Sequence, residues 1–186
     1  GLSLVGSEMC IRDSVSGEDQ DLSHDRITAL RLGVSLNRCL TGCLGIDFQF
    51  SRGIDIASRS QGDVGKGTPL SRSSGKNNFS HFNLDTTYVV ALDKNLEFNI
   101  NTGGQLSLDD LLNSEQSSIT GPDKLSGFTS GSISGDESWY FRGQLNYKKK
   151  LSNKLTLTPY VYGATGVSYT LTPTATENRA TAARSI

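Results

Sequence analysis

The chain has 186 residues, of which 35% are hydrophobic and 20% charged, and its formal net charge is −1. This composition suits a folded domain, and the near-neutral charge gives no electrostatic reason to expect a nucleic-acid partner. No stretch reaches the roughly eighteen consecutive apolar residues of a membrane-spanning helix, so a membrane role would have to be carried by strands.

The first residues differ in their pattern of apolar and polar residues from the rest of the chain. Residues 1–14, GLSLVGSEMCIRDS, show neither strand nor helix periodicity, and they look like translated adapter sequence at a false start of a reading frame. We therefore predict that residues 1–20 are non-native and disordered, and we exclude them from fold reasoning. On this interpretation the chain is a fragment whose true start lies upstream.

Alternation of apolar and polar side chains with a period of two runs through the chain after residue 25. This pattern is typical of half-buried strands, and we expect six or seven strands in sequential antiparallel order, forming a curved open sheet. The predicted segments are residues 27–39, 43–54, 79–92, 94–106, 137–147 and 154–170.

The alternation predicts a sheet with one apolar and one polar face. The apolar, convex face should carry Leu30, Val34, Phe48, Leu84, Phe98, Phe141, Leu145, Leu157 and Val161. The polar, concave face should carry Arg31, Gln49, Asp85, Glu97, Arg142 and Gln144. If the sheet belongs to a membrane barrel, the first set faces lipid and the second faces the lumen.

Short and long connections alternate along the chain. In an up-and-down meander this places all tight turns at one end and all long loops at the other, as in outer-membrane barrels. The tight turns are predicted at 40–42, 93–95 and 152–154, and the long connections at 55–78, 107–136 and from 171 onward. A soluble antiparallel sandwich is the alternative, because its inward faces also alternate. Periodicity does not distinguish a passive porin from a translocator.

A stretch of about forty residues, 104–147, carries a specific motif order. It runs through Gly104 and Gln105, then Leu112, Ser114, Glu115 and Gln116, then Gly121, then Leu125, Ser126, Gly127 and Phe128, then Gly135 and Asp136. This order and spacing resemble the barrel domain of the haemolysin-activator family, the outer-membrane translocators of two-partner secretion. With the flanking strands, the resemblance covers roughly residues 25–186.

The resemblance implies an all-β architecture and a function. In this family the barrel has sixteen strands, so residues 25–186 would be an open part of a transmembrane barrel in the outer membrane. The implied function is secretion of a large partner exoprotein of haemolysin or adhesin type, without ATP, enzymatic chemistry, cofactor, metal or small-molecule substrate. The expected partners are the exoprotein and outer-membrane lipid. The alternatives are a passive porin or adhesion barrel, and a soluble carbohydrate-binding β-domain.

The resemblance also implies that the long connection 107–136 folds back into the lumen. Its tip motif would be Leu125, Ser126, Gly127 and Phe128, and Gly135 with Asp136 would form the junction to the next strand. The glycines and serines allow such bending. The alternative is that residues 117–136 form a mobile surface loop.

The chain departs from the family pattern at two positions. The family's tip arginine is replaced by Ser126, and in the inner-wall motif of Tyr162, Ala164 and Gly166 the family's aspartate is replaced by Ala164. Replacing both partners of a buried ion pair can be nearly neutral, whereas losing one is costly. We therefore expect Ser126 and Ala164 to lie close together, with the tip held by packing and neutral hydrogen bonds.

The remaining candidates for chemistry are few. Cys39 and Cys43 flank the first tight turn and would form a disulfide if their Cα atoms lie within about 7 Å, which the spacing leaves open. His24 and His81 have no neighbours in the sequence that indicate a metal or catalytic site. Residues 62–68, GDVGKGT, lack the full spacing of a phosphate-binding loop and are predicted to be a solvated loop.

Overall fold

The computed structural model describes residues 1–14, 21–54, 70–152, 155–175 and 177–186. Its main element is one antiparallel sheet of eight strands in the order β1-β2-β3-β4-β5-β8-β11-β12. These strands are β1 Leu2–Ser14, β2 Asp21–Cys39, β3 Cys43–Gly53, β4 Ser80–Ala91, β5 Leu96–Ser107, β8 Glu137–Tyr147, β11 Tyr160–Tyr169 and β12 Ala180–Ser185. Outside this sheet lie a 3₁₀ helix at Asn113–Glu115 and two short hairpins, β6 Ser117–Ser118 with β7 Ser134–Gly135, and β9 Lys149–Lys150 with β10 Thr156–Leu157.

The predicted antiparallel meander is confirmed, and the sheet does not close: β1 and β12 are its two edges. It contains more strands than the expected six or seven. A long loop was predicted at the position of β12, because alternate residues of its sequence ATAARS differ little in polarity. Its backbone nevertheless pairs with β11 from Ala164 with Ser185 to Tyr169 with Ala180.

The other additional strand, β1, differs from the expected disorder of residues 1–20 over Leu2–Ser14, whereas residues 15–20 lie outside the described residues. β1 pairs with β2 from Leu2 with Val34 to Ser14 with Asp21. Ladder hydrogen bonds join backbone groups and do not require alternating side chains, so a segment without periodicity can still cover the open edge of β2. The non-native origin of the segment stays a prediction.

The register places the two predicted residue sets on opposite faces, since directly paired residues share a face. Val34, Phe48 and Leu84 pair in sequence across three strands, and Phe98, Leu145 and Val161 do so across three others. The polar set alternates with them along each strand. One residue differs: Leu157 lies in the β9–β10 hairpin, outside the main sheet.

The apolar face is largely uncovered. Phe48 is 40% exposed and Val161 is 69% exposed, whereas a soluble sandwich would bury this face against a second sheet. The buried apolar side chains lie instead in two clusters on the other side. The first cluster contains Ile27, Ala29, Phe79, Leu111 and Leu112. The second contains Ile119, Leu125, Tyr140 and Ala164.

Cys39 and Cys43 close the turn between β2 and β3. They are register partners and form a disulfide, with Sγ atoms 2.08 Å apart and Cα atoms 4.0 Å apart. Within the described residues, no helix is long and apolar enough to cross a membrane.

Candidate functional site

Residues 107–136, here called the in-folding segment, lie against the polar face of the sheet. The segment leaves β5, forms a short 3₁₀ helix at Asn113–Glu115 and the β6–β7 hairpin, and ends at β8. Leu111, Leu112, Ile119 and Leu125 are fully buried. All four lie within residues 107–136, which the sequence predicted to be a long connection. Their burial against the sheet builds the two apolar clusters.

A second stretch, residues 70–79, here called the clasp, packs beside the first part of the in-folding segment. Phe79 belongs to the cluster of Leu111 and Leu112, and Leu70 packs against it. Ser71 donates from its backbone N–H to Oδ1 of Asp25 at 2.9 Å, and its hydroxyl donates to the other carboxylate oxygen. The clasp is therefore tied both to β2 and to the in-folding segment.

Arg72 of the clasp forms a buried ion pair with Asp136. Its Nη1 lies 2.7 Å from Oδ1 and 2.9 Å from Oδ2, and the two side chains are 2% and 0% exposed. Arg72 also donates to the carbonyl oxygens of Leu111 at 3.1 Å and Thr172 at 2.9 Å. One guanidinium thus joins the start and end of the in-folding segment to the connection after β11.

Asp136 is fully supplied with donors. Besides Arg72, it accepts hydrogen bonds from the backbone N–H of Leu111 at 3.0 Å and of Leu171 at 2.8 Å. Gln116 Nε2 lies 3.3 Å from Oδ1. A buried carboxylate needs both a counter-charge and donors for its remaining lone pairs, and Asp136 has both. On the cation side, Arg72 Nε lies 3.7 Å from Glu177 Oε1. We name Arg72 and Asp136 the base anchor.

Glu115 forms a second buried charged contact. Arg31 binds its carboxylate with both terminal nitrogens, at 2.7 Å and 3.0 Å, and His81 Nε2 lies 3.2 Å from Oε2. Burial alone would raise the pKa of the Glu115 carboxyl, but hydrogen bonds from His81 and Arg31 outweigh it and hold that pKa below its usual value. Gln105 Nε2 donates to the carbonyl oxygens of Glu115 and Asp136, at 3.0 Å and 3.1 Å.

The tip of the in-folding segment packs on the inner-wall motif. Leu125 shares a cluster with Ala164. Gly166 leaves room for the tip, because a Cβ atom there would lie 3.3 Å from Leu125 Cδ1 and 3.2 Å from Ile119 Cδ1. Gly127 reaches β12, since a Cβ atom built on it would lie 3.0 Å from the Cβ atom of Ser185. The small residues of both motifs therefore allow the tip to approach the wall closely.

Arg142 of β8 contacts the tip from the wall. Its Nη1 donates to Ser126 Oγ at 2.8 Å and to the Lys124 carbonyl oxygen at 3.0 Å. The guanidinium lies 4.0 Å from the ring centroid of Tyr162. The expectation of only neutral hydrogen bonds at the tip is corrected here, because the donor is a cation. Phe128, the last residue of the motif, is partly exposed.

The other predicted polar residues lie on the same face without touching the tip. Asp85 accepts a hydrogen bond from the Tyr140 hydroxyl at 2.9 Å, and Glu97 accepts one from Lys148 at 2.7 Å. Gln49 faces Asn83 across β3 and β4. Gly135 is buried at the junction, where a Cβ atom would lie 2.6 Å from the Tyr169 carbonyl oxygen.

Sequence reasoning missed the clasp and its residues Ser71 and Arg72, and it assigned no partner to His81 or Asp25. One signal was present: two carboxylates, Glu115 and Asp136, lie in a segment expected to enter the protein, and buried carboxylates need cations. The partners are separated from them by 84 and 64 residues, so the pairing itself has no local signature.

The chain is similar to a known protein family and to a solved structure. The family model described as haemolysin secretion/activation protein ShlB/FhaC/HecB matches residues 10–184. Among solved structures, CdiB from Escherichia coli is similar, with a TM-score of 0.68 and 19% sequence identity over 89% of this chain. The chain spans 30% of that chain. A search of curated proteins finds no match to the sequence.

Proposed function

Because the chain belongs to the haemolysin secretion/activation family, ShlB/FhaC/HecB, we propose that it forms part of an outer-membrane barrel that exports a partner exoprotein in two-partner secretion. The proposed cargo is of haemolysin or adhesin type, and the proposed lipid contact is the apolar face of the sheet. The chain would contribute a wall and a plug-like inner segment, with the rest of the barrel supplied by the complete protein.

One observation carries this proposal: a sheet with an exposed apolar face holds a folded, anchored segment on its polar face. Exposed Leu, Phe and Val side chains are stable against lipid but costly in water. The opposite face carries Arg31, Gln49, Asp85 and Arg142, and such side chains need water or polar partners. A wall between lipid and an aqueous passage satisfies both faces.

The mechanism is gating and guidance without bond chemistry. The in-folding segment covers part of the polar face and narrows the passage beside it. An exoprotein crossing in extended form must pass the segment or displace it. Amide side chains such as Gln49 and Asn83, which pair across β3 and β4, can hydrogen bond to an extended backbone without demanding a particular sequence.

The proposal is tested with the complete translocator produced in Escherichia coli together with a candidate exoprotein carrying an epitope tag. Export is measured as tag accessibility to protease on intact cells. We expect surface accessibility with the intact protein and its loss when residues 117–134 are replaced by a short glycine-serine linker. Heat-modifiable migration of the barrel in gels checks that the deleted variant still folds.

Two results would contradict the proposal. The first is that the tag becomes equally accessible to protease in cells without the translocator. The second is that the complete protein conducts small solutes in liposomes but exports no candidate exoprotein. The second result would favour the passive porin.

A further inference from the structure

The wall supplies the cation that donates to the tip, Arg142, while Lys124 of the in-folding segment lies over the Tyr140 ring of β8 at 5.0 Å from its centroid. We propose that Arg142 is the positioning residue that holds the tip against the wall through a charged donor and neutral acceptors, so that the tip is released more readily than the base anchor. The expected effect on export rests on the proposed function, whereas the contact between Arg142 and the tip concerns this chain alone.

The Arg142 side chain is held in one orientation by its neighbours. Its Nε and Nη2 lie 3.3 Å and 2.6 Å from Gln144 Oε1, and its planar face lies over the Tyr162 ring. Gln144 is itself held, since its Nε2 donates to Asn146 Oδ1 at 2.8 Å. With one edge and one face occupied, Nη1 is directed at the tip, and little side-chain freedom is lost when the tip binds.

The tip offers Arg142 no counter-charge. Its acceptors are the Ser126 hydroxyl and the Lys124 carbonyl oxygen. On the wall, Arg142 is paired with Ala164 of β11, whose methyl group cannot bind the guanidinium, and with Asn101 of β5, whose side chain carries no charge. A cation donating to neutral oxygens binds more strongly than a neutral pair but less strongly than an ion pair.

The two ends of the segment are therefore held by different kinds of contact. At the base, Arg72 meets a carboxylate that is fully buried and saturated with donors. At the tip, Arg142 meets exposed Ser126, to which water has access as a competing partner. When the segment moves, the tip is expected to leave first, with the base anchor acting as the hinge.

The test measures tip position in the complete protein through a disulfide between cysteines placed at Gly127 and Ser185. Arg142→Gln should slow formation of this disulfide about tenfold, and Ser126→Glu, which adds a counter-charge, should accelerate it and reduce export. Arg142→Lys should give an intermediate crosslinking rate, because lysine keeps the positive charge but lacks the planar guanidinium group that donates several hydrogen bonds at once. Asp47→Asn, a charge change on the same face at a residue that pairs with Ser35 and Asp85, is the matched control and should leave the rate unchanged.

Ser126→Arg gives a second, independent arm because it places like charges together. It should slow the crosslink as strongly as Arg142→Gln, and adding Ala164→Asp should restore it by placing a carboxylate between the two guanidinium groups. If Arg142→Gln prevents folding, Ser126→Ala removes the acceptor without altering the wall and should slow the crosslink to a smaller extent.

An unchanged crosslinking rate in both Arg142→Gln and Ser126→Ala would overturn the proposal, as would equal rates for Ser126→Arg with and without Ala164→Asp. The crosslink needs no exoprotein, so its failure is distinct from failure of the proposed function, which is read from export alone.

Discussion

Arg72 and Asp136 are 64 residues apart in the sequence and form a buried ion pair, with 2.7 Å between Nη1 and Oδ1. The pair joins the clasp to the point where the in-folding segment returns to the sheet. Since Arg72 also binds the carbonyl oxygens of Leu111 and Thr172, three connections at the same end of the sheet depend on one side chain.

Removing one partner of this pair should be strongly destabilising. Asp136→Asn leaves the buried Arg72 charge with only the more distant carboxylate of Glu177, 3.7 Å from Nε, and we expect the free energy of unfolding to fall by up to about 3–5 kcal/mol. Lys76→Ala is the control, because Lys76 pairs with Asp109 but is 52% exposed, and exposed pairs contribute about 0–1 kcal/mol. Urea unfolding of the complete protein in detergent measures both. Equal losses in the two variants would contradict the assignment of the base anchor.

Glu115 should make stability depend on pH in a defined direction. Its folded pKa lies below the ordinary value of 4.5, so its stabilising contribution is fully present above pH 4.5 and is lost as the pH falls through the folded pKa. We therefore expect Glu115→Gln to cost about 1–3 kcal/mol at pH 7. The difference from the parent protein should shrink below pH 4.5. Unfolding measured from pH 3 to 7 tests this, and a difference that grew on acidification would contradict it.

Neighbouring residues of β3 provide a matched test of the two faces. Phe48 lies on the apolar face and Gln49 on the polar face. Phe48→Arg places a charge against lipid and should cost about 2–4 kcal/mol if the site lies near the bilayer midplane, whereas Gln49→Arg should be tolerated. Folding into liposomes measures the difference. A larger penalty at Gln49 would indicate that the faces are reversed.

The Cys39–Cys43 disulfide closes a very short loop. Chain-entropy reasoning gives about 2 kcal/mol for a loop of this length, and the ladder pair between the two residues remains available without the bond. We expect Cys39→Ser with Cys43→Ser to fold with a modest loss of stability. Alkylation before and after reduction, read by mass spectrometry, reports the bond directly; two free thiols in the unreduced protein would contradict it.

The sequence predicted the strands whose faces differ in polarity, and their pairing order followed from the short turns. β12 was missed because alanine and threonine give weak contrast, and β1 because ladder pairing does not require alternating side chains. At the site, the tip and wall motifs were indicated by the resemblance to the haemolysin-activator family. The charged anchors required knowledge of the register, which brings Arg31 and Arg72 to carboxylates far away in the chain.

The tip of the in-folding segment lies on the polar face of the wall. Gly127→Cys with Ser185→Cys tests it directly in the complete protein, after Cys10, Cys39 and Cys43 are changed to serine. A Cβ atom built on Gly127 lies 3.0 Å from the Cβ atom of Ser185. A small backbone shift would bring this distance to the roughly 3.5–4.5 Å found in disulfides. Arg184→Cys replaces Ser185→Cys in the control, because it points to the opposite face. We predict rapid, reducible crosslinking at 185 and none at 184 in isolated outer membranes. Absence of the 185 crosslink, or equal crosslinking at 184, would contradict the claim.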